Sequence, residues 1–230
     1  MVFLHGGAWR FGLADSYARH AEYAVSRGAV GVSVEYRLAT EGRTVHHCIR
    51  DCVAAMRYLR ENAAALGILP NKICVCGESA GGHLTLCLST PAIVADPEAR
   101  PDYIINFNGA VDLTGRLNWE LFGRCDMETV TPDTWLEKYR AGAAVSPLLQ
   151  AGPGNTPVTH MQGLNDEIIF PYETAQLHDR LLACGVESRL ILLPGQKHSF
   201  ILFHYQSPDE TVQKYLDMAG DILAEKGFLQ

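Results

Sequence analysis

The sequence predicts an α/β protein with a mostly parallel sheet and helices on both faces. Short β-prone runs alternate with longer helical patterns along the 230 residues, which is typical of strand–helix–strand units. A glycine-framed serine follows one of these runs and begins a helix. No internal repeat or linker composition interrupts the alternation, so we expect one domain over residues 1–230.

The composition is that of an ordinary globular protein, with 47% hydrophobic and 20% charged residues. The net charge of -7 and the lack of a Lys/Arg cluster predict that neither nucleic acid nor an anionic membrane is a partner. No apolar run approaches the roughly 20 residues of a membrane span. The seven cysteines lack the spacing of a disulfide scaffold. Free thiols and the lack of a visible signal peptide slightly favour a cytoplasmic location, and we expect no metal or other cofactor.

The first part of the chain supplies two predicted strands and two predicted helices. Val2–Leu4 is a strand, and the His-Gly-Gly-Ala-Trp sequence at 5–9 follows it as a loop. A helix is predicted over 15–27 because polar capping residues precede it and a glycine follows it. Residues 29–36 form an apolar strand. The helix predicted over 44–65 carries an apolar stripe at a spacing of 3.6 residues.

The middle of the chain contains the serine motif and then a break in the alternation. A β-prone run at 71–76 precedes the motif, and an apolar helical stretch at 80–90 follows it. Tyr103–Phe107 is the next strand. The polar segment at about 113–140 shows no strand pattern, and we interpret it as a small cap-like helical excursion over the sheet.

The last part of the chain returns to the alternating pattern. Strands are predicted at 158–162 and 189–193, with a helix over 172–184 between them. A final amphipathic helix is predicted over 208–225. Each strand is followed by a loop, and these loops contain the remaining candidate site residues.

Gly77-Glu78-Ser79-Ala80-Gly81 fits the G-x-S-x-G pattern of a strand-to-helix turn that exposes a nucleophilic serine. Such a turn forces the serine into a strained backbone conformation, and side chains at either glycine would collide with the neighbouring strand and helix. The pattern alone is weakly specific, but the predicted strand before it and helix after it support the assignment. A nucleophilic serine also needs a base, a group that orients the base, and donors for an oxyanion.

The base should lie in a loop at the carboxyl end of a strand, because the crevice of a parallel sheet is found there. His198 meets this condition, five residues after the predicted end of the strand at Leu193. Most of the other eight histidines fall within predicted helices or strands or beside the glycine pair of the first loop. His204 is the reserve candidate, although it lies near the last helix.

Asp166 is the favoured orienting acid, since it follows the strand that is predicted to end at Gln162. The order Ser79, Asp166, His198 is the order of nucleophile, acid and base in α/β-hydrolases. Glu167 and Asp112 also follow predicted strands and stay open as alternatives.

The loop after the first strand is the candidate oxyanion site. Gly6 and Gly7 allow backbone N–H groups to face a cavity without a side chain in the way. The N–H of Ala80, directly after the nucleophile, completes the donor set used by lipases and esterases.

With these motifs the chain resembles the α/β-hydrolases of the small carboxylesterase group. That group includes hormone-sensitive-lipase-like esterases, acetyl/feruloyl esterases and arylformamidase-like enzymes. The residues that carry the resemblance span nearly the whole chain: 5–9, 36–38, 77–84, 146–148, 163–166 and His198. The resemblance implies an α/β-hydrolase fold and a serine hydrolase that acts through an acyl-enzyme. Two details depart from parts of the group, namely Ala8 in place of a third glycine and Gln162 in place of a histidine.

The resemblance also implies that the first strands of the fold are absent, because the oxyanion loop begins five residues from Met1. The strand at 29–36 would then lie at or near a sheet edge, and an apolar edge invites pairing. We expect a homodimer through this edge, a covering element, or a longer parent chain.

The expected substrates are short-chain carboxylic esters, and the resemblance adds acetylated sugars as a specific class. Trp9, Trp119, Phe122 and Trp135 are candidates to line the substrate pocket, although the last three could equally pack the 113–140 segment onto the sheet. Two alternatives stay open: an arylformamidase-type amidase, and a catalytically impaired homologue that acts by binding.

Overall fold

The computed structural model describes residues 1–40, 42–118 and 130–229. At its centre is a six-stranded sheet in which every strand pairing is parallel. The strands lie in the order β2-β1-β3-β4-β5-β6. Their bounds are β1 Val2–Leu4, β2 Val32–Val34, β3 Cys74–Glu78, β4 Tyr103–Phe107, β5 Val158–Gly163 and β6 Ser188–Leu193. The predicted α/β class with a parallel sheet is confirmed.

Helices connect successive strands and cover both faces of the sheet. Their bounds are α1 Ala18–Ser26, α2 Val45–Glu61, α3 Ala63–Leu66, α4 Ala80–Ser89, α5 Pro132–Ala144, α6 Pro147–Gln150, α7 Pro171–Ala183 and α8 Asp209–Glu225, with short 3-10 turns at Ala14–Tyr17 and Pro97–Ala99. None of the helices in the described ranges is long and apolar enough to cross a membrane.

The two faces of the sheet follow from the alternation of side chains along each strand. Val75 of β3 joins the apolar cluster beneath α2 and α4. Its neighbours Cys74 and Cys76 join the opposite cluster with α1 and α8, as their spacing predicts. The six cysteines among the described residues are free thiols. Every residue of α4 is buried, so the helix that follows Ser79 is fixed within the core.

The edge strand β2 is shorter than the predicted strand at 29–36. It pairs with β1 over three residues and has no second neighbour in the described chain. At Gly31 the chain passes directly beneath α1, since a Cβ there would lie 2.2 Å from the Ala21 carbonyl oxygen. The expectation that this strand lies at the sheet edge is confirmed, and a homodimer through it stays a prediction.

The helix predicted over 44–65 is two helices, α2 and α3. They meet at Asn62, whose φ of -104° and ψ of 14° leave the helical region. The Asn62 side chain donates to the Tyr58 carbonyl oxygen at 2.8 Å, the local bond by which asparagine competes with helix continuation. The serine strand also differs, because β3 extends to Glu78 and includes Gly77.

The segment at about 113–140, predicted as a helical excursion, contains the start of α5 at Pro132. Thr131 accepts the N–H of Thr134 and Pro132 occupies the first helical position, so both signals for a helix start are present. Trp119 and Phe122 lie outside the described residues.

Candidate active site

Ser79 lies at the turn between β3 and α4, with a φ of 53° and a ψ of -117° that few non-glycine residues adopt. The two framing glycines are required sterically. A Cβ on Gly77 would lie 2.4 Å from the Gly81 carbonyl oxygen, and a Cβ on Gly81 would lie 2.0 Å from the Leu4 carbonyl oxygen. The turn therefore holds a half-buried serine at the carboxyl edge of the sheet in a conformation fixed by its neighbours.

His198 and Asp166 reach this serine from the loops after β6 and β5. The Nε2 atom of His198 lies 2.9 Å from Ser79 Oγ, and its Nδ1 lies 2.8 Å from Asp166 Oδ2. Because a carboxylate accepts, Nδ1 carries the proton, and Nε2 is left free to accept from the serine hydroxyl. The structure thus brings the three residues into one hydrogen-bonded chain, in the arrangement that deprotonates a serine.

The carboxylate of Asp166 is held by further donors. Its Oδ1 accepts the backbone N–H groups of Ile168 and Ile169 at 2.8 and 2.9 Å. Its Oδ2 also accepts Gln162 Nε2 at 3.3 Å, and Gln162 Oε1 in turn accepts the hydroxyl of Thr174. These hydrogen bonds fix the orientation in which the Asp166 carboxylate accepts from His198.

The alternative bases and acids lie elsewhere. His204 is exposed and lies 3.3 Å from Asp209. Asp112 accepts the backbone N–H and the hydroxyl of Thr114, as a turn former does. Glu167 is exposed. Of the residues considered for base and acid, His198 and Asp166 are the pair in contact with each other.

The loop after β1 faces the same edge of the sheet. Gly7 has a φ of 104°, which favours glycine, and Tyr36 donates its hydroxyl to the His5 carbonyl oxygen at 2.6 Å. The His5 ring also stacks on Tyr36 with centroids 4.1 Å apart, so His5 braces the loop. In the part of the chain that the structure describes, no backbone carbonyl accepts the N–H of Gly6, Gly7 or Ala80. These N–H groups are available to an oxyanion.

Trp9 does not line an open pocket, contrary to the expectation from sequence. It is 2% exposed, and its Nε1 donates to Nδ1 of His83 at 3.1 Å. The indole packs into the core because the loop turns inward at Ala8 and Trp9, both with positive φ. Trp135 lies on α5, is 45% exposed, and stacks on Tyr139.

A groove of about 400 Å³ is lined by Val32, Ile73 and Phe228 among other residues. These residues lie towards the amino ends of β2 and β3 and next to the end of α8. The groove is therefore at the sheet edge opposite Ser79 and does not belong to this site.

Three residues that sequence reasoning did not single out take part in the site. Asn108, with a φ of 45°, accepts the Gly163 N–H at 2.9 Å and donates to the Lys197 carbonyl oxygen at 3.2 Å. It thereby ties the loop of the acid to the loop of the base. Glu78 and Ser199, both buried, share a hydrogen bond beside His198. The signal that could have identified Glu78 is a carboxylate inside an otherwise apolar strand.

The chain is 27% identical over 213 residues to an ethyl acetate hydrolase of Pseudomonas putida, covering 87% of this chain and 65% of that protein. It is 26% identical over 184 residues to an acetylxylan esterase of Xylanibacter ruminicola, covering 78% of this chain and 36% of that protein. A solved esterase of Thermogutta terrifontis with bound butyrate is 29% identical with a TM-score of 0.84, covering 99% of this chain and 83% of that chain.

The chain spans less than two thirds of the length of both curated relatives. The family model described as the alpha/beta hydrolase fold matches residues 1–202. That match includes β1 to β6, the serine turn, and the loops that carry Asp166 and His198. The chain therefore belongs to the alpha/beta hydrolase fold family.

Proposed function

We propose that the protein is a serine esterase that cleaves short-chain carboxylic esters through an acyl-enzyme. The observation that carries the proposal is the continuous hydrogen-bond chain from Ser79 through His198 to Asp166. This chain provides a nucleophile, a base with a free Nε2, and a buried acid that orients the base.

Catalysis begins when Ser79 Oγ attacks the ester carbonyl carbon and its proton passes to His198 Nε2. The N–H groups of Gly6, Gly7 and Ala80 bind the oxyanion that forms. His198 then gives the proton to the leaving alkoxide, and the alcohol departs as the acyl-enzyme forms. Water attacks the acyl carbon in the second half, again with His198 as base, and the acid is released with Ser79 restored.

Small acyl groups are supported by the proteins that this chain resembles. One relative is named an ethyl acetate hydrolase, and the structural neighbour contains bound butyrate. Acetylated sugars are a narrower proposal, supported by the similarity to an acetylxylan esterase. A panel of p-nitrophenyl esters from acetate to decanoate tests the acyl preference, and release of acetate from acetylated xylan tests the sugar class.

The decisive variant is Ser79→Ala, assayed with p-nitrophenyl acetate and with a fluorophosphonate probe. We expect kcat to fall by about 10⁴-fold or more and labelling to disappear, because the nucleophile is lost. Ser26→Ala removes a hydroxyl from α1, where it donates to the Tyr23 carbonyl oxygen, and serves as the matched control. Activity that survives Ser79→Ala would overturn the proposal.

The fluorophosphonate probe tests one of the two alternatives, and one additional substrate tests the other. A catalytically impaired homologue would fail to react with the fluorophosphonate although Ser79 is in place. An arylformamidase-type amidase would hydrolyse N-formylkynurenine with a higher kcat/KM than p-nitrophenyl acetate.

A further inference from the structure

A second buried carboxylate lies beside His198, on the opposite side of the ring from Asp166. Glu78 Oε1 lies 3.7 Å from His198 Nε2, and the Glu78 side chain is 1% exposed. Nε2 is the atom that also faces Ser79 Oγ at 2.9 Å. The carboxylate is therefore close to the nitrogen that gains a proton when the serine is deprotonated.

Only one of the two carboxylate oxygens of Glu78 has a hydrogen-bond partner among the described residues. Oε1 accepts the hydroxyl of Ser199 at 2.5 Å, whereas Oε2 is buried without a hydrogen-bond partner in the described residues. Oε2 lies against the oxyanion loop, since a Cβ on Gly6 would lie 2.0 Å from it. Burial of a partly satisfied carboxylate costs free energy, and buried charges are normally paired. The charge that can pair with Glu78 is the one that His198 acquires during the reaction.

We propose that Glu78 is a positioning residue whose carboxylate stabilises the imidazolium of His198 as Ser79 loses its proton. This inference rests on the proposed serine esterase function and adds a second carboxylate to it. Asp166 fixes the tautomer through Nδ1, while Glu78 acts on Nε2 without touching the substrate. Ser199, the residue after His198, holds Glu78 in place through its hydroxyl.

Other ionisable groups lie near Glu78 and His198, and their charges bear on the assignment of this role to Glu78. Burial raises the pKa of Glu78, and the positive charge of a protonated His198 opposes that rise. The negative charge of Asp166, in the loop after β5, adds to the rise in the pKa of Glu78, and Asp166 also contacts Nδ1 of His198. Tyr17 and Tyr36 also lie near Glu78, and burial raises the pKa of both phenols well above their ordinary range. Both phenols are neutral at working pH and supply no charge to His198.

The test is Glu78→Gln, which keeps the volume and an acceptor for Ser199 but removes the charge. A carboxylate close to an imidazole favours its protonated form. Without it, the acid limb of the kcat/KM profile moves to lower pH by about one unit. The plateau value of kcat falls by about tenfold or more, because the imidazolium in the transition state is less stabilised. KM for p-nitrophenyl acetate stays near its original value, since Glu78 does not contact the substrate.

Glu187→Gln is the matched control. Glu187 directly precedes β6 at the amino edge of the sheet, is half exposed, and pairs with Lys226. Its profile is expected to match that of the unmodified enzyme. A purely structural role for Glu78 would lower stability and leave the acid limb of Glu78→Gln in place, and that result would overturn the proposal.

Failure of the proposed function and failure of the proposed role of Glu78 give different results. An unmodified chain without esterase activity or fluorophosphonate labelling would overturn the proposed function itself, whereas an active chain with an unmoved Glu78→Gln profile would overturn only the role of Glu78. If Glu78→Gln does not fold, as judged by circular dichroism, carbon-13 NMR of the unmodified protein decides. The Glu78 carboxyl resonance is expected to shift as His198 gains its proton, and a resonance insensitive to His198 would reject the proposal.

Discussion

Trp9 donates its indole N–H to Nδ1 of His83 across 3.1 Å, and the two rings meet edge to face with centroids 5.2 Å apart. On its other side, His83 Nε2 lies 2.7 Å from the Val145 carbonyl oxygen, which fixes the neutral tautomer with the proton on Nε2. Burial lowers the pKa of His83 to about 4, so the ring accepts from Trp9 without competition from a proton. Through this bond the loop of the proposed oxyanion site is anchored to α4, the helix that follows Ser79.

Trp9→Phe should loosen that anchor. The variant leaves the buried Nδ1 of His83 without a donor, which costs about 1–3 kcal/mol of unfolding free energy. We also expect kcat to fall by about tenfold, because the loop that supplies the Gly6 and Gly7 N–H groups is held less firmly. Urea denaturation and p-nitrophenyl acetate kinetics measure the two effects. Trp135→Phe, on an exposed helix surface, is the stability control; equal losses in both variants would contradict this account.

Gly81→Ala should be far more damaging than an ordinary glycine substitution. The added methyl group would lie 2.0 Å from the backbone oxygen of Leu4, which belongs to β1 and cannot move aside cheaply. We expect a loss of about 3 kcal/mol or more in unfolding free energy, measured by urea denaturation. Gly152→Ala has open space within 4 Å and should change stability by about 0.5 kcal/mol or less. A tolerated Gly81→Ala would show that β1 and α4 are not packed this closely.

Asp166→Asn should lower kcat by about 10⁴-fold while the protein stays folded. An amide in this position can donate to Nδ1, so His198 would adopt the wrong tautomer and lose its free Nε2 acceptor. Glu167→Gln changes the neighbouring exposed carboxylate and should retain normal kcat. Steady-state kinetics of the two variants side by side decide between the acids that the sequence leaves open, and a larger loss in Glu167→Gln would reverse the assignment.

Three buried histidines make stability depend on pH. Burial lowers the pKa of His20 and His83 to about 4 and that of His160 to about 3, from an ordinary 6.5. Above pH 6.5 these histidines are neutral in both the folded and the unfolded chain. Below it, the unfolded chain binds protons that the folded chain does not, so stability falls as the pH drops from about 6.5 to about 4. Glu78 and Glu173, whose pKa burial raises, act in the opposite direction.

Urea denaturation at pH 7, 6 and 5 measures this dependence. His160→Gln removes one titrating ring and keeps an oxygen that can accept the Asn106 amide. Its slope of unfolding free energy against pH should be shallower by up to about 1.4 kcal/mol per pH unit. An unchanged slope would mean that His160 binds protons equally in the folded and the unfolded chain over this pH range.

Much of the fold could be predicted from local patterns. β4 has the predicted bounds Tyr103–Phe107, because an apolar run buried on both faces has clear limits. The short length of the edge strand β2 and the break at Asn62 could not be predicted. Pairing with one short neighbour decides the first, and a single side-chain bond to Tyr58 decides the second.

The residues of the candidate site also divide into those that local patterns locate and those whose roles depend on tertiary contacts. Ser79, Asp166 and His198 could be located because each lies in a loop after a strand, and parallel strands bring such loops together. The roles of Trp9 and Asn108 depend on which way side chains turn after the loops are assembled. Trp9 turns inward to His83, and Asn108 bridges two loops that are distant in sequence. Periodicity and spacing carry no information about such contacts.

The bond between His198 and Ser79 joins residues 119 positions apart, and it requires β6 to be docked at the far side of the sheet. The bond between Trp9 and His83 needs only the first part of the chain. Contacts between distant segments form late in folding, because more chain entropy is lost in closing them. We therefore expect the burial of Trp9 to precede the recovery of the proposed esterase activity during refolding, so that this activity would report the docking of β6.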